Sequence, residues 1–409
     1  MMERRAQVYL HGMLAGELAE DAKGSMSFRI ARSYRELVPR PVLSQSFEDD
    51  LERPYRGKKL GELPAFFANL APEGALRELV EESAHLEPGD DFGLLLAVGR
   101  DLPGAVELRE TDAEHLAPTD ASEPIPDRGD DEPELVATRF SLAGLQLKFS
   151  VLREAEKITL PTRGRRGEWI AKLDSPRFPQ VVENEFSMLE WARTAGFDVP
   201  ECQILPASAL AGIPRRIIPD HSNLLLIKRY DRQGDERIHQ EDFAQAVRLP
   251  PRLKYDHITY EQLALLIRQI VGRKAYDEFV RRLIFVIASG NADAHLKNWS
   301  LIYPDRVHAR LAPVYDQVAT VAWRQVERQL ALKLAGVKDF GRLDVAALER
   351  FAGKSGDDPR RVVDLARDTI AHLADAWKAL QARPPMLHLA ELRDHWRHVP
   401  LLRDSGKTI

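Results

Sequence analysis

Gly290-Asn291-Ala292-Asp293-Ala294-His295-Leu296-Lys297-Asn298, followed after a short insert by Pro313-Val314-Tyr315-Asp316, decides how this chain is read. The string begins where an apolar helical pattern over 274–289 stops at a glycine, so it is a loop leaving a buried helix. Asp293 and Asn298 stand five apart, the spacing of a phosphotransferase catalytic loop, in which the carboxylate accepts a hydroxyl proton and the amide holds a magnesium ion. A loop is required, because an unbroken helix would not let both groups converge on one phosphate. Asp316 offers a second hard oxygen donor, and Mg²⁺ usually takes one or two carboxylates together with substrate phosphates.

Upstream of the loop lies a strand-rich stretch around one helix. Ser141 to Val151, Trp169 to Leu173 and Leu224 to Lys228 read as strands, and Val182 to Ala195 as an amphipathic helix stopped by Gly196. Lys172, inside an apolar strand, either snorkels to solvent or reaches a nucleotide phosphate, with Glu185 on the next helix as its ion-pair candidate. Ser141-Leu142-Ala143-Gly144-Leu145-Gln146-Leu147-Lys148 could cover phosphates, although its single glycine is no G-x-G-x-x-G. Lys228-Arg229-Tyr230-Asp231 ends a strand where lobes would connect; its backbone could pair with adenine and Asp231 could reach a ribose. From Gln240 onward the period is helical at 240–248, 259–270, 274–289, 344–354 and 358–381, interrupted by a hairpin-like insert at 299–314. The expected fold is therefore α+β and bilobal, protein-kinase-like: a mixed β-sheet N-lobe, a C-lobe all helical apart from that insert, and the polar motif at their junction.

A small α+β module precedes these lobes. Gln7 to Leu10 and Met13 to Leu18 form a hairpin through His11-Gly12, Met26 to Ile30 suits a third strand, and Leu63 to Glu82 and Asp91 to Val98 are helical, the last capped by Asp90 or Asp91. No chemistry stands out in it. Between Glu110 and Glu134 ten acidic residues face one arginine, with four prolines, so this segment cannot bury enough apolar surface to fold and reads as a linker or mobile loop. The expected boundaries are 1–108 for the N-terminal module, 109–136 for the linker, 137–232 for the N-lobe and 233–409 for the C-lobe.

Composition excludes several classes. With 409 residues, 44% of them hydrophobic, 24 Gly, 26 Pro and one cysteine, the chain is neither collagenous, nor disordered throughout, nor a disulfide scaffold. The net charge of −5 combines −9 in the acidic stretch with +4 elsewhere, a mildly basic folded body. The strongest apolar run, Leu283 to Ala288, is too short to span a bilayer, and Gln7, His11 and Glu17 interrupt the start too early for a secretory signal. A soluble, cytoplasmic protein with no membrane partner is expected.

Several separate strings in order resemble the HipA family, the serine/threonine protein kinases of bacterial toxin–antitoxin modules. They are Phe66-Phe67-Ala68-Asn69-Leu70-Ala71-Pro72-Glu73-Gly74, Gly99-Arg100-Asp101-Leu102-Pro103-Gly104-Ala105, Ser141 to Lys148, Asn184-Glu185, Arg229 to Arg232, Gln240-Glu241-Asp242, Leu253-Lys254-Tyr255, the Asp293 loop and Tyr315-Asp316. The resemblance implies Asp293 as catalytic base, and Asn298 and Asp316 as Mg²⁺ ligands. ATP would meet Ala143, Gly144, Leu145, Gln146, Leu147 and Lys148, then Lys172, Lys228, Arg229, Tyr230 and Asp231, with His295, Lys297 and Tyr315 also lining its site. Ser141 would be autophosphorylated; its phosphate would eject the loop from a site built for ATP phosphates. The chain departs from the family pattern at Leu145, Leu147, Lys228 and Ala294, none of them a catalytic side chain. Implied partners are a HipB-like helix-turn-helix antitoxin, operator DNA through that antitoxin, and an aminoacyl-tRNA synthetase substrate, the glutamate enzyme being the leading candidate.

Two other classes compete. Asp293-x-His295-x-x-Asn298 also resembles the loop of aminoglycoside and choline kinases, which carry histidine where Asn291 stands, so a small-molecule phosphotransferase is one alternative. A corepressor that holds an antitoxin on DNA is the other.

Overall fold

Alternation along Arg4–Leu10 and, with one irregularity opposite Val8 and Tyr9, along Met13–Glu20 builds a hairpin, closed by His11 and Gly12 at φ of 49° and 78°. The computed structural model describes residues 3–111, 147–154, 157–159, 167–212, 218, 222–381 and 389–409. The expected linker, apart from its first residues, and Ser141, Ala143, Gly144, Leu145 and Gln146 lie outside the described residues. The hairpin extends into an antiparallel five-stranded sheet in the order Tyr55–Arg56, Met26–Ile30, Met13–Glu20, Arg4–Leu10 and Val106–Glu110. Helices Ala65–Ala68, Gly74–Ser83 and Asp91–Val98 accompany it. Asp90 is the cap of the last, accepting the Gly93 amide at 2.9 Å.

The second sheet runs Leu210–Ala211, Lys157–Thr159, Lys148–Glu154, Trp169–Leu173, Asn223–Lys228 and Cys202–Pro206. Its first pair is parallel and the rest antiparallel, the expected mixed sheet. Because side chains alternate across a strand, its two faces join different cores. Phe149, Val151, Trp169, Ala171, Leu173, Leu224 and Leu226 pack with the N-terminal module in one core. Leu225 and Ile227 point the other way, into a core shared with helix Val181–Thr194 and the C-lobe.

In the C-lobe, helices Tyr260–Ile270, Arg273–Ser289, Val345–Lys354 and Pro359–Gln381 match the expected periods. The apolar run Leu283 to Ala288 is wholly buried on the central helix, which explains why it is hydrophobic all round. Among the described residues no helix is long and apolar enough to cross a membrane.

Residues 240–248 differ from the helical expectation. His239–Asp242 is a strand paired with Ser300–Tyr303, itself paired with Arg310–Leu311 in the expected insert, and only Phe243–Ala246 is helical. His239 and Glu241 turn inward at 0% exposure. Asp242 then ends the strand with a capping box, its carboxylate accepting the Gln245 amide while Gln245 Oε1 accepts its own, each at 2.9 Å. A further hairpin, Gln329–Leu334 with Val337–Asp339, and helices Leu389–His398 and Pro400–Arg403 add to the lobe.

The module is bolted to the lobes through buried charge. Arg229 donates to both carboxylate oxygens of Asp231 at 2.9 and 2.8 Å and to Asp101 at 3.1 Å. Arg232 and Arg237 donate to the carbonyls of Leu102 and Gly104, and the Gly104 amide donates to Asp231 at 2.7 Å. Only glycine suits position 104: φ is +73° and a Cβ would lie 2.7 Å from the Gln240 nitrogen.

Candidate active site

Helix Arg273–Ser289 ends at Gly290, a left-handed cap at φ +65° where a Cβ would lie 2.5 Å from a Val321 methyl. The following loop is held from within and from one side. Asn291 Oδ1 accepts the Asp293 amide at 2.9 Å, and Thr320 Oγ1 accepts the Ala292 amide at 2.7 Å while donating to the Gly290 carbonyl at 2.9 Å. Asp293 is thereby turned into a cleft of about 380 Å³ whose walls come from the N-lobe sheet, the C-lobe and the N-terminal module. That size is ordinary for a cofactor or substrate site. The Tyr255 hydroxyl donates to Asp293 Oδ1 at 2.5 Å, and burial pushes the Asp293 carboxyl up despite that bond.

A turn over Leu296–Asn298 brings Asn298 to the same cleft, where its Nδ2 donates to Asp316 Oδ2 at 3.4 Å. The Asn298 Oδ1 is buried and has no hydrogen-bond partner. Asp316 has φ of +50°, a conformation rare for a side chain with a Cβ and found where surrounding structure imposes it. Lys148 and Lys172 are direct partners across the sheet, so both ammonium groups leave the same face and meet Asp316. Lys172 also donates to Glu185 at 2.5 Å. Burial alone would raise the Asp316 carboxyl, but Lys148 and Lys172 hold it well below the usual carboxylate range. Two ammonium groups against two carboxylates make a neutral buried set, and the Lys172–Glu185 pairing read from the sequence is present.

The other expected residues are distributed unevenly. Tyr230 and Tyr315 line the cleft with ring centroids 5.8 Å apart, and the Tyr315 hydroxyl donates to the Lys297 carbonyl at 2.9 Å. Lys228 is also on the cleft lining but exposed, its ammonium 5.9 Å from the Trp169 ring. The Lys228 and Arg229 amides already donate to the Glu201 and Glu168 carbonyls at 2.8 Å, so neither is spare for an adenine edge. Arg229 and Asp231, expected around adenosine, also line the cleft, but their side chains are engaged with each other and with Asp101. Leu147 packs against the core shared by the module and the second sheet and is not among the residues lining the cleft. His295 is buried with Nδ1 unpartnered; burial, with Lys254 and Lys297 nearby, brings its imidazole down to about 3, so it is neutral at pH 7.

The module read as carrying no chemistry contributes to the site. Glu73 accepts from Lys297 at 2.5 Å and from Lys254 at 3.0 Å, and the Asn69 carbonyl accepts from Lys297 at 3.1 Å. Burial would raise the Glu73 carboxyl, yet the two lysines outweigh it and hold it at about 2. Asp242 also lines the cleft, where burial pushes its carboxyl up to about 6. Glu73, Lys254 and Asp242 lie in strings the family resemblance had picked out, but only the three-dimensional contacts attach them to the site.

Among the described residues no three His, Cys, Asp or Glu side chains gather to hold a metal ion. Asn298 and Asp316 offer two hard oxygen donors that could hold a Mg²⁺ shared with phosphates, not an all-protein cage; Asn298 Oδ1 is unpartnered, whereas the Asp316 oxygens are taken by Lys148, Lys172 and the Asn298 amide.

Residues 6–109 match the HipA N-terminal domain and residues 140–377 the HipA-like C-terminal domain. Y4dM of Sinorhizobium fredii, a protein named as a kinase, is 37% identical over 411 residues, covering 98% of each chain. The serine/threonine-protein kinase toxin HipA of Shewanella oneidensis is 24% identical over 311 residues, covering 67% of this chain and 66% of that one. The solved complex of Shewanella oneidensis HipA with HipB and operator DNA shares the fold, with a TM-score of 0.73 at 20% identity over 98% of this chain and 96% of the other. With both domains present in order and the fold shared across nearly its whole length, this chain belongs to the HipA family.

Proposed function

We propose that this chain is an ATP- and Mg²⁺-dependent serine/threonine protein kinase that acts as the growth-inhibiting toxin of a toxin–antitoxin pair. One observation carries the reading: Asp293, Asn298, Asp316 and the Lys172–Glu185 pair open on a single cleft between two lobes. Asp293 is the base that accepts the proton of the attacking hydroxyl, and its raised carboxyl suits that role better than an ordinary exposed aspartate would. Lys172, oriented by Glu185, and Lys148 beside it present positive charge to transferring phosphates. Asn298 and Asp316 would hold Mg²⁺, which when bound neutralises charge on those phosphates. Neutral His295 and the Tyr230 and Tyr315 rings line the rest of the site.

Family membership supports the toxin role. The relative crystallised with HipB and operator DNA supports a HipB-like helix-turn-helix antitoxin as partner, with DNA reached through it. We assign an aminoacyl-tRNA synthetase, the glutamate enzyme first, as the protein substrate, and Ser141 as the autophosphorylated serine. The test is transfer of label from γ-labelled ATP to the chain itself and to the synthetase, in wild type and Asp293→Asn. Loss of labelling by about 10²-fold or more in the variant is expected. Undiminished labelling in the variant would refute it. Turnover on amino alcohols or sugars with none on protein would instead favour a small-molecule phosphotransferase.

A further inference from the structure

Glu73 lies on the N-terminal module, 224 residues from Lys297, yet it touches both segments that carry the candidate chemistry. Lys254 immediately precedes Tyr255, whose hydroxyl meets Asp293, and the Lys254 carbonyl accepts the Leu296 amide at 3.2 Å. Lys297 immediately precedes Asn298. We propose that Glu73 is a positioning residue for phosphoryl transfer: its carboxylate clamps Lys254 and Lys297 together and so registers the base against the Asn298 side of the site. The inference rests on the kinase reading above.

Three features support the clamp. Glu73 occupies the N-cap position of helix Gly74–Ser83 but makes no side-chain capping bond there, so its carboxylate is committed to the cleft and not to its own helix. Both oxygens are used, one per lysine, an arrangement that needs a carboxylate. Without it two ammonium groups would face each other in a partly buried space, each already in the field of another carboxylate, Asp293 for Lys254 and Asp242 for Lys297. Glu73 therefore keeps Lys254 off the base while tying down its neighbour Tyr255. The N-terminal module then completes the catalytic unit from outside the two lobes.

Glu73→Gln has the same shape but puts an NH2 donor where one lysine's acceptor stood, so that lysine loses its bond. We expect kcat for protein phosphorylation to fall about tenfold or more, as for a displacement of catalytic groups by a fraction of an ångström. KM for ATP should change less than kcat, because Lys148, Lys172 and Asp316 are untouched and Lys297 keeps its bond to the Asn69 carbonyl. Lys254→Met breaks the same clamp from the other end, should cost a similar factor, and should make the double variant no worse than the worse single one. Thermal midpoints and the fraction of active sites are measured alongside. A Glu73→Gln enzyme within twofold of wild type overturns the inference. So do losses that multiply in the double variant, or a fall in rate explained by lost active fraction. If wild type itself moves no label from ATP to protein, the kinase reading falls and this inference with it.

Discussion

Glu241 should make the folded protein less stable as pH rises, and Glu241→Gln should remove that penalty. The side chain is fully buried between the module and the C-lobe, accepting from Ser44 Oγ at 2.6 Å, the Gln45 amide at 2.9 Å and the Tyr303 hydroxyl at 2.5 Å. No cation pairs with it there among the described residues, and burial outweighs the three donors, pushing its carboxyl from 4.5 up to about 7. Below pH 4.5 both folded and unfolded chains hold the proton and the group is neutral in its effect. Between 4.5 and about 7 the unfolded chain ionises first, so stability falls by about 1.4 kcal/mol per pH unit, reaching a constant deficit of about 3 kcal/mol above pH 7. Glutamine keeps the bonds: Oε1 accepts from Gln45 and Tyr303, and Nε2 donates to Ser44 once that hydroxyl turns toward Ser46, 2.8 Å away. The variant should therefore lie within about 1 kcal/mol of wild type at pH 5 and exceed it by about 3 kcal/mol at pH 8. Urea unfolding at the two pH values, in matched buffers, measures this. A variant destabilised at pH 8 by as much as or more than at pH 5 would show that Glu241 is ionised and stabilising in the fold.

Three further outcomes follow from single contacts. Tyr255→Phe removes a bond that lowers the Asp293 carboxyl, so the acid limb of kcat/KM against pH should move to higher pH; an unmoved limb would contradict Asp293 as base. Lys172→Met leaves Glu185 and Asp316 in the cleft without the ammonium that both share, so stability should fall by about 3–5 kcal/mol and ATP binding by calorimetry should disappear; retained binding would exclude Lys172 from the phosphate site. Gly104→Ala drives a Cβ into the Gln240 backbone at a positive φ and should cost about 1–3 kcal/mol, read as a lowered unfolding midpoint; an unchanged midpoint would mean this junction is looser than its hydrogen bonds imply.

Local pattern was a good guide wherever one face of an element decides its state. Trp169–Leu173 is a short apolar run and is a strand; Arg273–Ser289 keeps its helical period and stops at a glycine that only a left-handed cap explains. The Asp293 loop was legible because its two groups belong to one short segment. His239–Asp242 was not, because its strand state comes from pairing with Ser300–Tyr303 and from the inward turn of His239 and Glu241, neither visible in four polar residues. The Asp231 carboxylate could be located on a strand end but not aimed: which way it points depends on the module loop around Gly104 that covers it. Glu73 carried no local mark of function, since its meaning lies in two lysines far along the chain.

The N-terminal module is, in packing terms, half of the N-lobe. Seven apolar side chains on one face of the second sheet, from Phe149 to Leu226, are buried in one core with the module, and the opposite face is the one that presents Lys172 to the cleft. A sheet stripped of that cover would expose an apolar surface beside Arg229, Arg232 and Arg237, whose carbonyl and carboxylate partners at Asp101, Leu102 and Gly104 belong to the module. Guanidinium groups left buried without those partners are costly, so the junction resists separation through both its apolar and its charged contacts. The same body then delivers Glu73 and Asn69 to the catalytic side. A rigid attachment is what allows a carboxylate from outside the lobes to hold two lysines to within a hydrogen bond's tolerance, which a module on a loose tether could not do.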